Sequence, residues 1–192
     1  MKTVFKIALA AAAVALNAGS AQAFLFLQPQ PQPTPQHLAS PAIEQGAIPR
    51  EVVAFDRGYA PGTIVVSTSE RRLYLVMGNG QALRYGVGVG RPGFEWSGTQ
   101  KVTRKAEWPD WTPPAAMLKR RPDLPRFMEG GEDNPLGARA LYLGSSIYRI
   151  HGSNEPHTIG QAVSSGCIRM TNEDVADLYE RVKVGATVVV LR

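Results

Sequence analysis

One cysteine, Cys167, stands alone among 192 residues, so no disulfide can form within the chain. Long hydrophobic runs are also missing. The apolar stretch from Ile7 to Leu16 is roughly half of the ~20 residues that a membrane-spanning helix needs. No Cys lies near Ala23, which argues against a lipid-anchored start. Lys and Arg are nowhere clustered with interleaved aromatics, which gives no footing for a nucleic-acid reading. The length leaves room for one domain with a real core and does not call for a second.

Residues 1–23 read as a secretory signal: Lys2 and Lys6 at the start, the short apolar stretch, then the small-residue sequence Ala21-Gln22-Ala23 with cleavage expected after it. No stable membrane span is expected once the signal is removed, and the product is expected to be exported and associated with the cell envelope, in the periplasm. The net charge of +5 falls to +3 with the loss of the two lysines, mildly basic and uninformative about fold. Residues 24–49 alternate Pro with polar residues in "QPQPQPTPQ" and read as a semi-extended tether, which also holds His37. Residues 50–192 are the expected folded domain.

Within that domain, short apolar runs are punctuated by turn residues. "TIVVSTS", "RRLYLVM" and "QALRYGVGVG" read as strands, with Asn79-Gly80 a strong hairpin signal between the last two. "ARALYLG", "IYRIHG" and "ATVVVLR" read as further strands, and the Pro-, Gly- and Trp-rich stretch from Arg91 to Glu129 as long loops. Thr171, with Asp174 three residues on and Val175, Leu178, Tyr179 and Val182 at helical spacing, predicts one helix closed by Gly185. The fold class is mainly β with one packed helix.

A lone thiol in an oxidising compartment is a buried structural residue, half of an intermolecular bridge, or a reactive group. A reactive cysteine needs a base or a positive charge beside it, because an ordinary thiol is only a few per cent thiolate at neutral pH. His151 ends a strand run and Cys167 follows Ser164-Ser165-Gly166, so the two meet if the chain returns along one sheet edge. Gly166 admits a close substrate approach and its turn can aim backbone N–H groups at an oxyanion, though "SSGC" also reads as a plain turn. Arg169 offers a guanidinium for a substrate carboxylate or merely a surface ion pair. Trp108 and Trp111 in "WPDWTPP" are either core aromatics or a lid over the cysteine.

The stretch "IHG…SSGCIRM.N.DV..LY..V..G", with "YGVGVGR", "WPDWTPP" and "NPLGARALYL" upstream, resembles the L,D-transpeptidase (YkuD-like) catalytic domain over roughly Tyr59 to Leu191. The sixteen-residue separation of His151 and Cys167 matches that family's pattern. The resemblance implies a β-sandwich-like or partly closed barrel domain in which Cys167 is the nucleophile and His151 the general base. It also implies that the Gly152 carbonyl orients the imidazole and that Gly166 and Cys167 supply oxyanion N–H groups. Substrate-contacting roles are expected for Ser165, Gly166, Arg169 and Trp111. Ser165 stands where many members carry His. The implied substrates are peptidoglycan stem peptides, with a second stem, an envelope protein or water as acyl acceptor, and no cofactor is implied. Thiol labelling faster than that of a free peptide thiol is expected of an enzyme and not of a non-catalytic wall-binding module.

Two other constellations are weaker. His151 and His157 lie six apart, which fits no common zinc pairing, so no metal is expected and His157 reads as a rim residue. Gly88, Gly90 and Gly93 satisfy G-x-G-x-x-G, but Pro92 and "FEWSG" deny it the helix that would hold a pyrophosphate.

Overall fold

The computed structural model describes residues 48–192; the signal, His37 and nearly all of the tether lie outside the described residues. Strands β1 (Glu51–Ala54), β2 (Ile64–Ser67), β3 (Arg72–Gly78) and β4 (Gln81–Gly86) build the first half of the sheet, followed by the short β5 (Val89–Gly90). The hairpin expected between β3 and β4 is present: Asn79 and Gly80 take φ of 53° and 69°, the positive pair a tight primed turn requires. Strands β6 (Gly98–Glu107), β7 (Arg139–Leu143), β8 (Arg149–His151), β9 (Ala162–Ser164), β10 (Ile168–Arg169) and β11 (Thr187–Leu191) follow, with helices α1 (Ala115–Arg120) and α2 (Asn172–Arg181).

Nine strands form one sheet in the order β1-β4-β3-β2-β11-β6-β7-β8-β10. The fold is mainly β with one principal helix, as expected, and the sheet runs open from β1 to β10 instead of closing into a barrel.

The alternation of the strands decides where the core lies. Ile64, Val66, Leu73, Leu75, Leu83 and Tyr85 face one way, into a cluster shared with Leu141, Leu143, Ile150 and Ile168 of the other half and with Val175 and Leu178 of α2. The intervening Val65, Tyr74, Val76 and Ala82 face the opposite way and pack with Phe55. β2 is therefore buried on both faces, which is why it reads as an unbroken apolar run. Each such side chain contributes about 1.5–3 kcal/mol by leaving water.

Two expectations are corrected. The Arg91–Glu129 stretch is not all loop, since it contains β6, the longest strand, and α1. Only Val102 of β6 is buried, so its sequence carries no hydrophobic signal; backbone pairing makes the strand, to β11 through Gly98–Lys101 and to β7 through Val102–Glu107. Helix α2 starts as expected, Thr171 Oγ1 accepting from the Asp174 N–H at 3.1 Å, but it ends at Arg181, before Gly185. Lys105 Nζ reaches over from β6 and donates to the Tyr179 and Val182 carbonyls at 2.5 and 2.8 Å, satisfying the helix end. Gly185, at φ 93°, instead turns the chain into β11. Among the described residues no helix is long and apolar enough to cross a membrane.

Candidate active site

Strands β8 and β10 run parallel, with Ile150 opposite Ile168 and His151 opposite Arg169. Cys167 immediately precedes β10, as Arg149 precedes Ile150 on β8. Residues two apart on a strand share a face, so Arg149, His151, Cys167 and Arg169 form one group. All four line a cleft of about 890 Å³. Gly88 makes this possible on the other edge of β10: its N–H and carbonyl exchange hydrogen bonds with Arg169 at 2.9 Å each, and a Cβ there would meet the Thr158 carbonyl at 2.9 Å. Gly88, Gly90 and Gly93 thus belong to a strand edge and a turn, and the next element is strand β6.

The turn before Cys167 is clamped. Gly166 has φ of 107°, and a Cβ would sit 2.5 Å from the Tyr148 ring, so only glycine fits without strain. Trp96 stacks on Tyr148 with centroids 4.5 Å apart and donates from Nε1 to the Gly166 carbonyl at 2.7 Å. Ser164 Oγ donates to the Cys167 carbonyl at 2.6 Å and accepts from the Gly166 N–H at 3.0 Å. That N–H, expected to face an oxyanion, is therefore engaged inside the turn, whereas the Cys167 N–H has no hydrogen-bond partner among the described residues.

His151 is 4% exposed, with Nδ1 2.6 Å from the Gly152 carbonyl oxygen. A carbonyl can only accept, so Nδ1 carries the proton and Nε2 presents a lone pair. Burial drives the imidazole pKa down to about 3, overriding the opposing pull of the Gly152 hydrogen bond, and the Arg169 and Arg149 charges push the same way as burial. Burial pushes the Cys167 thiol up, while the Arg149 charge and N–H groups, then Arg169, pull it back. The pair at rest is thus neutral thiol and neutral imidazole.

Gly152 is fixed in turn by Asn172, whose Oδ1 accepts from Ala138 N at 2.9 Å and Ser153 N at 3.2 Å and leaves no room for a Cβ on Gly152. Arg169 Nη1 donates to Glu155 Oε2 at 2.9 Å and approaches Thr158 Oγ1 at 3.4 Å, so its guanidinium is already paired. Ser165 Oγ accepts from Arg91 Nη1 at 3.2 Å at the cleft wall. Trp111 is buried, exchanges backbone hydrogen bonds with Met128 at 2.8 Å, and lines the cleft opposite Cys167 together with α1 residues such as Met117. Trp108 is exposed and, like His157, lines a neighbouring depression instead. The sequence reading singled out neither Arg149 nor the Trp96–Tyr148 clamp. Arg149 could have been found from its place two residues before His151 on one strand; Trp96 gives no signal of its own.

The family model described as the YkuD L,D-transpeptidase catalytic domain matches residues 61–190. The chain is 39% identical over 137 residues to the probable L,D-transpeptidase ErfK/SrfK of Escherichia coli strain K12, covering 67% of this chain and 43% of that protein. It is 40% identical over 134 residues to the probable L,D-transpeptidase YbiS of the same strain, covering 65% and 43% respectively. The match thus spans less than half the length of these relatives. Among solved structures, an L,D-transpeptidase from Mycobacterium smegmatis matches with TM-score 0.56 at 18% identity, covering 69% of this chain and 59% of that one, a likeness of fold. A Brucella melitensis protein named as a probable carnitine operon oxidoreductase is 46% identical with TM-score 0.51, covering 74% of this chain and 93% of that one.

Proposed function

The chain belongs to the YkuD family of L,D-transpeptidase catalytic domains, and from that premise we propose that it is a peptidoglycan L,D-transpeptidase acting through a Cys167 thioester. The observation that carries the reading is the shared face of β8 and β10, where a tautomerically fixed His151 and Cys167 line one cleft.

In the forward step Nε2 of His151 takes the Sγ proton as Sγ attacks the carbonyl of the diamino acid at the third position of a stem peptide. The Cys167 N–H stands ready for the developing oxyanion, and the Gly166 N–H joins it only by leaving Ser164 Oγ. His151 returns the proton to the amine of the departing D-alanine, leaving a thioester. An acceptor amine then attacks the thioester and Cys167 leaves as thiol. The acceptor is a second stem, giving a direct cross-link between diamino acids, or an envelope protein that becomes attached to the wall. Water in place of the amine makes the same site a carboxypeptidase. Such substrates place the protein in the cell envelope, consistent with the signal read in residues 1–23.

The name of the Brucella melitensis relative suggests redox chemistry, but Gly88, Gly90 and Gly93 give it no support here, being committed to a strand and turn without the helix a dinucleotide site uses. The test is mass spectrometry of the protein incubated with tetrapeptide stems and competing amines. The wild type should release D-alanine and carry a tripeptide thioester, and Cys167→Ala should show neither adduct nor product. Undiminished turnover by Cys167→Ala would overturn the reading.

A further inference from the structure

Two arginines share the face with Cys167, and they are not equivalent. Arg169 is tied to Glu155 and Thr158. Arg149 has no carboxylate partner among the described residues. Its Nη1 donates to the Ile147 carbonyl at 3.2 Å, and its guanidinium carbon lies 5.2 Å from the centre of the Tyr142 ring. Its Nε is buried and has no hydrogen-bond partner among the described residues. A guanidinium keeps its charge throughout the accessible pH range and presents five donors in a planar fork suited to a carboxylate. Here such a fork, with a vacant buried donor, sits at the start of β8 next to the strand that Cys167 leads into, close enough for its charge and N–H groups to act on the thiol, and lines the same cleft.

We propose that Arg149 holds a substrate carboxylate beside the carbonyl that Cys167 attacks. This rests on the transpeptidase reading of the cleft, whose substrates carry the carboxylate of the departing D-alanine and, where the diamino acid is a dicarboxylate such as diaminopimelate, a second on its side chain. Either fits a guanidinium at this place; the shared chemistry is a carboxylate a few bonds from the reacting carbonyl. The pairing of Arg169 assigns it to bracing the Glu155–Thr158 loop against β10, which leaves Arg149 as the anion-binding group on the Cys167 face; Arg91 and Arg120 also line the cleft but lie over the Phe94 ring.

The first experiment needs no turnover. Iodoacetate and iodoacetamide both alkylate a thiol with loss of iodide and differ in carrying a carboxylate or a neutral amide. With the purified protein, the rate ratio of iodoacetate to iodoacetamide at Cys167 should fall about tenfold in Arg149→Gln, the scale of one charge-assisted hydrogen bond. Arg149→Lys should retain part of the preference, and Arg169→Gln, which removes a charge already compensated by Glu155, should lose less than Arg149→Gln. The iodoacetamide rate in each variant reports whether the thiol and its surroundings are intact. An unchanged ratio in Arg149→Gln, or a larger loss in Arg169→Gln, would overturn the proposal.

The second experiment locates the carboxylate. Tetrapeptide stems amidated at the D-alanine terminus or on the diamino-acid side chain are compared with the free acid. One amidation should raise KM about tenfold in the wild type and have little further effect in Arg149→Gln, and the one that does so identifies the group. Equal penalties in both proteins for both amides would overturn the assignment. A wild type that turns over no stem would overturn the transpeptidase reading, while the alkylation ratio would still decide what Arg149 does.

Discussion

Acidification should destabilise this fold in part through His151. Its imidazole is buried and neutral, with burial holding its pKa down to about 3, well below the ordinary imidazole value of about 6.5. A depressed imidazole leaves its contribution complete above pH 6.5 and removes it as the pH falls from there towards 3, because the unfolded chain takes up a proton that the folded protein refuses. The slope in that window is about 1.4 kcal/mol per pH unit. Between pH 7.5 and 4.5 the loss is therefore about 3 kcal/mol, a large share of the 5–15 kcal/mol that typically separates folded from unfolded domains.

Other groups titrate nearby: burial raises Asp174, while ion pairing and hydrogen bonds hold Asp177 and Glu70 low. They are present equally in a His151→Gln variant, so the quantity to measure is the difference between the two proteins. Urea unfolding at the two pH values gives each stability from its midpoint and slope. The wild type should lose about 3 kcal/mol more than His151→Gln on acidification. His157→Gln, altered on the exposed rim, should follow the wild type. Parallel loss in wild type and His151→Gln would mean that His151 titrates as it does in the unfolded chain, and the neutral resting pair would be wrong.

Two further changes probe the scaffold of the site. Gly166→Ala places a methyl against Tyr148 at a φ of 107° and should lower stability by at least about 2 kcal/mol, read from the shift in urea midpoint, with a matching loss of Cys167 acylation by stems. Lys105→Met removes the ammonium from the Tyr179 and Val182 carbonyls at the end of α2 and should cost about 1–2 kcal/mol in the same measurement while leaving the Cys167 alkylation ratio unchanged.

What the sequence made legible was whatever is decided locally. The Asn79-Gly80 turn, the Thr171 cap and the alternation in β2 to β4 are set by residues within a few positions of one another, and each can be read in place. β6 could not be, because its polar side chains are carried into the sheet by neighbours on both edges that are remote in the chain. The site divides the same way. His151 and Cys167 follow from the motif and its spacing, but that Arg169 is spent on Glu155 and Arg149 is not depends on the register of two strands and on where a loop returns. The engagement of the Gly166 N–H turns on the direction of one hydroxyl, that of Ser164, which no pattern encodes.

The neutral pair also answers the question raised by a lone thiol in the compartment that the leading residues imply. Oxidation proceeds through the thiolate, so a half-buried Cys167 whose thiol desolvation pushes up should be slow to oxidise and slow to exchange with a passing disulfide. The same burial that protects it leaves Nε2 of His151 unprotonated and able to accept. On the proposed mechanism, a substrate that closes the cleft would remove the remaining water, and the proton would then move from Sγ to Nε2, where the charges it creates attract each other strongly. Arg149 favours the thiolate but opposes the imidazolium, and a bound carboxylate offsets its charge at both. Anion binding at Arg149 would therefore raise the basicity of His151 and weaken the support of the thiolate together, so it would hold the substrate without by itself activating the thiol.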